Sequence, residues 1–219
     1  MLYSMGFLMA RQRSMLILTG PQGAGNHLWS KIFSLHPEVY GWKSLLDNYW
    51  EAHRFSEPFC EHWRDHSKLA DFDWAQSEYY FTSISCPLGI QDKKWMPDVA
   101  GFVRAVEQQG VEVQIVVCGR DQTILANQQT RIRGEHTFPL FMQQLPKFIN
   151  PTFLSYELLY LYKEQYLNSL NLNIPIAWNN PTVHTILEND SNAKYIHYID
   201  DYILDNCNKT GIPLNELPK

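Results

Sequence analysis

The chain has no excess of positive charge, no closely spaced cysteines and no long apolar run, and each absence removes a class of function. Its 18 basic residues are outnumbered by 23 acidic ones, for a formal net charge of −5. No global field therefore draws in the polyanionic backbone of a nucleic acid. Cys60, Cys86, Cys118 and Cys207 are scattered without a C-x-x-C pair, which suggests neither a zinc knuckle nor a disulfide framework and suits a reducing cytoplasm. No stretch approaches a bilayer span. The apolar residues 1–10 come before the basic Arg11 and Arg13, the reverse of a secretory signal, and read as a lead-in to the first strand. Neither a nucleic-acid nor a membrane partner is expected. Hydrolase patterns are missing too: there is no Ser-His-Asp order, no Gly-x-Ser-x-Gly elbow and no carboxylate pair of the glycosidase kind.

What is present is enough apolar material for one large core. The 219 residues are 45% hydrophobic and 14% aromatic, which suits a single α/β domain over residues 1–219. Repeats, low-complexity tracts and interdomain linkers are not found. Residues 15–19 (MLILT) form a short continuous apolar run that ends at Gly20-Pro21, the pattern of a strand buried on both faces of a parallel sheet. Leu28, Ile32 and Leu35 then recur at helical spacing up to His36-Pro37. Further strands are expected at 39–42, 79–85, 111–118 and 152–155, with helices at 99–106, from Asp121 to about Arg133, at 157–170 and at 195–207. Alternating strands and helices imply parallel βαβ crossovers with ligands at the carboxyl ends of the strands. The fold expected is a P-loop NTPase-like three-layer α/β domain with a mostly parallel central sheet flanked by helices.

The sequence Gly20-Pro21-Gln22-Gly23-Ala24-Gly25-Asn26-His27 places small residues where backbone N–H groups can converge on an anion. It directly precedes a helix N-terminus, whose partial positive charge favours phosphate. The separation of Gly20 and Gly25 matches that of the P-loop glycines. Asn26, however, stands where that motif has lysine, and His27 where it has the Ser or Thr that holds magnesium. An ordinary ATPase or GTPase is thus disfavoured. Gln22, Gly23, Ala24, Gly25, Asn26 and His27 are the expected phosphate cradle.

A second feature follows from the first. The strand V-Q-I-V-V-C runs into Gly119-Arg120-Asp121 and a helix, and further on stands Ser155-Tyr156-Glu157-Leu158. In this order, over roughly residues 15–170, the chain resembles a small, divergent member of the P-loop sulfotransferase family. In that family an apolar strand ends in Arg-Asp or Arg-Asn before a helix bearing a serine, and a later strand ends in Tyr-Glu-Asp-Leu. The resemblance implies a sulfuryl transfer from 3′-phosphoadenosine 5′-phosphosulfate to a hydroxyl or amine of a small molecule or glycan, with no metal required. It also implies Arg120 on the donor's 3′-phosphate, with Gln128 in the serine position and Tyr156 alongside. Departures are the missing loop lysine and the Thr pair replaced by Asn26-His27. Ser85 stands where cytosolic members place the basic histidine.

Sulfuryl transfer needs a base for the acceptor proton and positive donors at the leaving oxygen. His27 in the loop, Lys43 after the second strand and Asp47 one turn on are the candidate catalytic groups. Lys43 resembles the Lys-Glu segment of Golgi-type sulfotransferases, with Ser44 in the Glu position. Two alternatives remain open: a divergent P-loop kinase of nucleotides or metabolites, and a nucleotide-binding module without turnover. His62 and His66, at i and i+4, have one possible metal-ligand spacing but lack a fixed third ligand. The aromatic run from Trp42 to Tyr80 is core or acceptor pocket. Arg120, at the end of a buried strand, should face the crevice beside the loop, while Asp121 points elsewhere.

Overall fold

The structure, a computed structural model, describes residues 12–47, 56–90 and 93–193. The lead-in over 1–10, the helix expected at 195–207, and Tyr49, Trp50 and Phe55 of the aromatic run lie outside the described residues. The centre of the fold is β1 (Ser14–Gly20), buried along its whole length. It is parallel to β3 (Tyr79–Ser85) on one side, in register from Ser14↔Tyr79 to Gly20↔Ser85, and to β6 (Glu112–Gly119) on the other. With β2 (Val39–Tyr40) beyond β3 and β7 (Thr152–Ser155) beyond β6, the order is β2-β3-β1-β6-β7 and every pairing is parallel. A strand with neighbours on both edges and helices on both faces has no solvent side, which is why MLILT needs no polar alternation.

Alternate residues of β1 serve two cores. Leu16 and Leu18 face Trp29, Ile32 and Phe33 of α1 (Asn26–Ser34), together with residues of α6 (Tyr156–Ser169) and α7 (Pro181–Glu188). Met15 and Ile17 face Val99, Phe102 and Val106 of α3 (Val99–Glu107). The result is a five-stranded parallel sheet between helical layers. Among the described residues no helix is long and apolar enough to cross a membrane.

Of the described part of the aromatic run, Trp42, Phe59, Trp63, Trp74 and Tyr80 are core. Trp63 stacks on Phe102 with centroids 3.8 Å apart; Tyr80 meets Phe59, Phe72 and Trp74 edge to face, and Phe72 meets Trp74 likewise, while Phe59 stacks on Trp74 and lies tilted to Phe72. Their polar edges are satisfied internally: Trp74 Nε1 donates to Leu69 O and Tyr80 Oη to Trp74 O. His62 and His66 sit against Phe72 and Phe102 at the rim of the same cluster.

Several elements differ from the sequence expectation, among them the helix over Phe138–Gln144, which was not expected. The second strand stops at Tyr40, because Gly41 packs against Ser34 and Trp42 N–H bonds to Ser34 Oγ instead of to a strand. After Pro87, β4 (Leu88–Ile90) and β5 (Lys93–Trp95) form an antiparallel hairpin outside the main sheet. Lastly, α7 was not expected, although Asn180 caps it and Pro181 occupies its first position. The remaining helices are α2 (Ser44–Asp47), α4 (Gln122–Arg133) and α5 (Phe138–Gln144).

Candidate functional site

The 20–25 loop leaves the carboxyl end of the central strand and enters α1. At Gly20 β1 leaves no room for a side chain beside β6: a Cβ there would run into Cys118 Sγ and stand 2.8 Å from Cys118 O. Gly23 and Gly25 adopt φ of 89° and 101°, conformations that side chains other than glycine resist. The Ala24 amide closes a turn on Pro21 O at 3.2 Å. Gly25 is the N-cap of α1 and brings no side-chain cap to the first-turn amides. Beside it, the fully buried Trp29 Nε1 lies 3.9 Å from a Gly25 Cβ position and has no hydrogen-bond partner among the described residues; Thr19 Oγ1, at the end of β1, has none either.

Side chains from distant elements hold the loop. The fully buried Gln129 of α4 donates to Gln22 O at 2.6 Å and accepts from the Thr137 and Phe138 amides. Arg120, just past β6, turns toward the loop. Its Nη1 reaches Gly23 O at 3.3 Å and Gln128 Oε1 at 3.2 Å, its Nε donates to Asn192 Oδ1 at 2.6 Å and its Nη2 to Ser191 O at 3.0 Å. The guanidinium also lies 5.4 Å from the centroid of the Tyr156 ring. Asp121 goes the other way, capping α4 at the Ile124 amide while its own amide donates to Glu157 Oε1. Glu157 Oε1 accepts from Asn192 Nδ2 as well, so one carboxylate ties the start of α6 to the 191–192 turn.

Asn26 does not reach into the cradle as a P-loop lysine would. Its Nδ2 donates to Ser85 Oγ at 2.7 Å and its Oδ1 accepts from Cys118 Sγ, so this buried amide joins the carboxyl ends of β3 and β6 beneath the loop. Burial pushes the Cys118 thiol up to about 12, which keeps the proton that makes this bond. Ser85 is thereby an acceptor for Asn26. Gln128 faces the loop, with Oε1 3.0 Å from a Gly23 Cβ position, whereas the neighbouring Asn127 bonds to its own helix at Thr123 O. Ala24 and Gln22 are buried. Tyr156 Oη donates to Asn189 O at 3.1 Å and accepts from the Ser191 amide.

Among the candidate catalytic groups, His27 and Lys43 lie against different partners. His27 is half-buried, its ring 5.3 Å from that of Trp42. Lys43 Nζ donates to Ser34 O and His36 O, both at 2.7 Å, at the carboxyl end of α1, where a cation is favoured. Partial burial draws its ammonium below the usual lysine range. Nine residues of helix separate it from the loop, about 13 Å of rise. Asp47 closes α2, on the connection that follows Lys43.

No family model, curated protein or solved structure matches this chain. The site must be read from its own geometry.

An open cleft of about 750 Å³ lies at the opposite end of the sheet from the loop, lined by Glu38, Tyr40, Lys43 and Tyr79 among others. Elsewhere the most perturbed acid is Glu57, wholly buried against β3. Its Oε1 accepts from Thr82 Oγ1 at 2.7 Å and from the Ser83 amide at 3.3 Å, and its Oε2 from the Phe59 amide at 2.9 Å. Trp63 Nε1 donates to the same Thr82 hydroxyl. Burial outweighs these donors and pushes the Glu57 carboxyl up to about 8. Sequence reasoning missed Glu57, Gln129 and Asn192 as organising residues and singled out Glu157 only as part of Ser155-Tyr156-Glu157-Leu158.

Proposed function

We propose that the 20–25 loop binds the 5′-phosphosulfate of 3′-phosphoadenosine 5′-phosphosulfate, that Arg120 meets its 3′-phosphate, and that the chain is a sulfotransferase-like enzyme acting on a hydroxyl or amine of a small molecule or glycan. The observation that carries this reading is the Arg120 guanidinium at the carboxyl end of β6, turned to within 3.3 Å of Gly23 O. A glycine-rich turn at a helix N-terminus with a fixed arginine beside it offers two anion positions across one crevice. The open indole donor of Trp29 beside Gly25 is a second sign that the turn accommodates a polar ligand. The free Cys60, Cys86 and Cys118 fit a cytoplasmic setting.

Adenosine 3′,5′-bisphosphate should raise the melting temperature, because a ligand that binds only the native state stabilises it by mass action. ATP with magnesium should not. Absence of a shift at millimolar bisphosphate sinks the reading, and a magnesium-dependent shift with ATP points to a phosphotransferase.

A second reading, binding without turnover, is favoured by one specific observation. Asn26 and Ser85, the positions of the loop cation and of the base in the resembled families, are bonded to each other, and Lys43 caps the far end of α1. Transfer of label from the donor to any member of a hydroxyl and amine library excludes this second reading.

A further inference from the structure

Residues 20–27 include neither lysine nor arginine. Asn26, in the position of the P-loop lysine, is engaged by Ser85 and Cys118 beneath the turn. Backbone amides alone leave a phosphosulfate short of positive charge, and an anion held in a crevice needs fixed donors or a cation to replace its water. Another element has to bring that cation.

The β4–β5 hairpin brings one. Leu88 pairs with Trp95 and Gly89 with Lys94; residues directly opposite in an antiparallel pair share a face, and successive pairs alternate between faces. Leu88 and Trp95 pack against the core that holds Phe102. Gly89 and Lys94 therefore present the other face, which is turned to the loop: a Cβ at Gly89 would lie 3.7 Å from Gln22 Nε2. The tip of Lys94 is placed independently. Its Nζ pairs with the Glu135 carboxylate, two residues before Thr137, whose amide donates to Gln129 Oε1, while Gln129 Nε2 donates to Gln22 O at 2.6 Å. Two separate chains of contact thus lead from Lys94 to Gln22, one through the hairpin backbone and one through Glu135. Trp29 Nε1, wholly buried beside Gly25 and without a hydrogen-bond partner among the described residues, marks the same turn as one that takes a polar ligand.

We infer that Lys94 is the cation of the loop's anion site, exchanging the Glu135 carboxylate for the 5′-phosphate oxygens of the ligand. The inference rests on the sulfotransferase-like reading above. Lys94 and Glu135 are both exposed, so their pair holds weakly, whereas an ammonium on a phosphate makes charge-assisted bonds. The flexible four-carbon stem of lysine lets the head group move without the hairpin.

Titration calorimetry on the full chain tests this with adenosine 3′,5′-bisphosphate and with adenosine 3′-monophosphate, which lacks the 5′-phosphate. Lys94→Ala should weaken the bisphosphate about tenfold and leave the monophosphate unchanged. Glu135→Gln, which releases the lysine, should tighten the bisphosphate about two- to threefold, the worth of an exposed ion pair, and should have no effect when combined with Lys94→Ala. A pair that only ties the hairpin down predicts otherwise, because losing either partner then acts alike. The inference alone is overturned if the unmodified chain binds the bisphosphate and Lys94→Ala binds it equally well, if Lys94→Ala loses both ligands to the same degree, or if Glu135→Gln fails to tighten binding. No bisphosphate binding by the unmodified chain overturns the sulfotransferase-like reading, and this inference with it.

Discussion

Among the described residues, Arg120 links the loop, α4 and the 191–192 turn through hydrogen bonds to Gly23, Gln128, Ser191 and Asn192. Its removal therefore acts twice. Arg120→Ala should weaken adenosine 3′,5′-bisphosphate binding by about 100-fold, the worth of two charge-assisted bonds to a phosphate. It should also lower stability by about 1–3 kcal/mol, because the Gly23 and Ser191 carbonyls and the Asn192 amide oxygen lose their donor. Titration calorimetry and thermal melts separate the two, and unchanged bisphosphate affinity would remove Arg120 from the site. Arg120→Lys keeps the charge but not the fork, so it should recover part of the affinity and little of the cross-linking.

Glu57 calls for a different test. Its folded pKa of about 8 lies above the ordinary 4.5, so the folded protein holds a proton that the unfolded chain has released. The sign follows: stability is fully present below the unfolded value and is lost as pH rises from about 4.5 through about 8, at up to about 1.4 kcal/mol per unit. Melting temperature should fall over that window and level off above it. Glu57→Gln, which removes the titrating group and keeps one acceptor oxygen for Thr82 Oγ1, should flatten the slope. Parallel pH profiles for the two proteins would show that the carboxyl does not titrate with unfolding.

At the scale of elements, the contact between β1 and β6 decides what the loop can be. Gly20→Ala places a Cβ against both the thiol and the backbone oxygen of Cys118. The thiol can rotate only by giving up Asn26, and the carbonyl belongs to a strand paired on both sides. The expected cost is about 3 kcal/mol, or roughly 10 °C in melting temperature for a domain of this size. A Gly20→Ala variant that melts with the unmodified protein would mean that β1 and β6 separate freely at this end, which the Asn26 bridge from Cys118 to Ser85 opposes. The same bridge explains why a lysine-free turn holds its shape: the floor is fixed by a neutral amide, where a P-loop cation would need a phosphate to satisfy it.

At the scale of the whole molecule, much of the fold was legible along the chain. The runs at 15–19, 79–85, 111–118 and 152–155 were read as strands to within about a residue, because continuous apolar β-formers bounded by glycine or proline have few alternatives. The loop was legible for the same local reason, and so was the helix after Arg120. The β4–β5 hairpin was not, since three-residue strands carry too little pattern. Nor did the sequence separate an aromatic core from an aromatic pocket, because both use the same residues and differ only in what packs over them.

The sequence by itself determined the strand-loop-helix unit, the glycines at positions 23 and 25 and the arginine after an apolar strand, all of which rest on conformational preferences within a few residues. The tertiary structure alone decided what those residues touch. Asn26 meets Cys118 across 92 positions, Arg120 meets Gly23 across 97 and Asn192 across 72, while Lys43 turns to the carboxyl end of α1. Such partners follow from which strands become neighbours, and the order β2-β3-β1-β6-β7 is set by the burial of every side chain at once, not by the identity of any one of them.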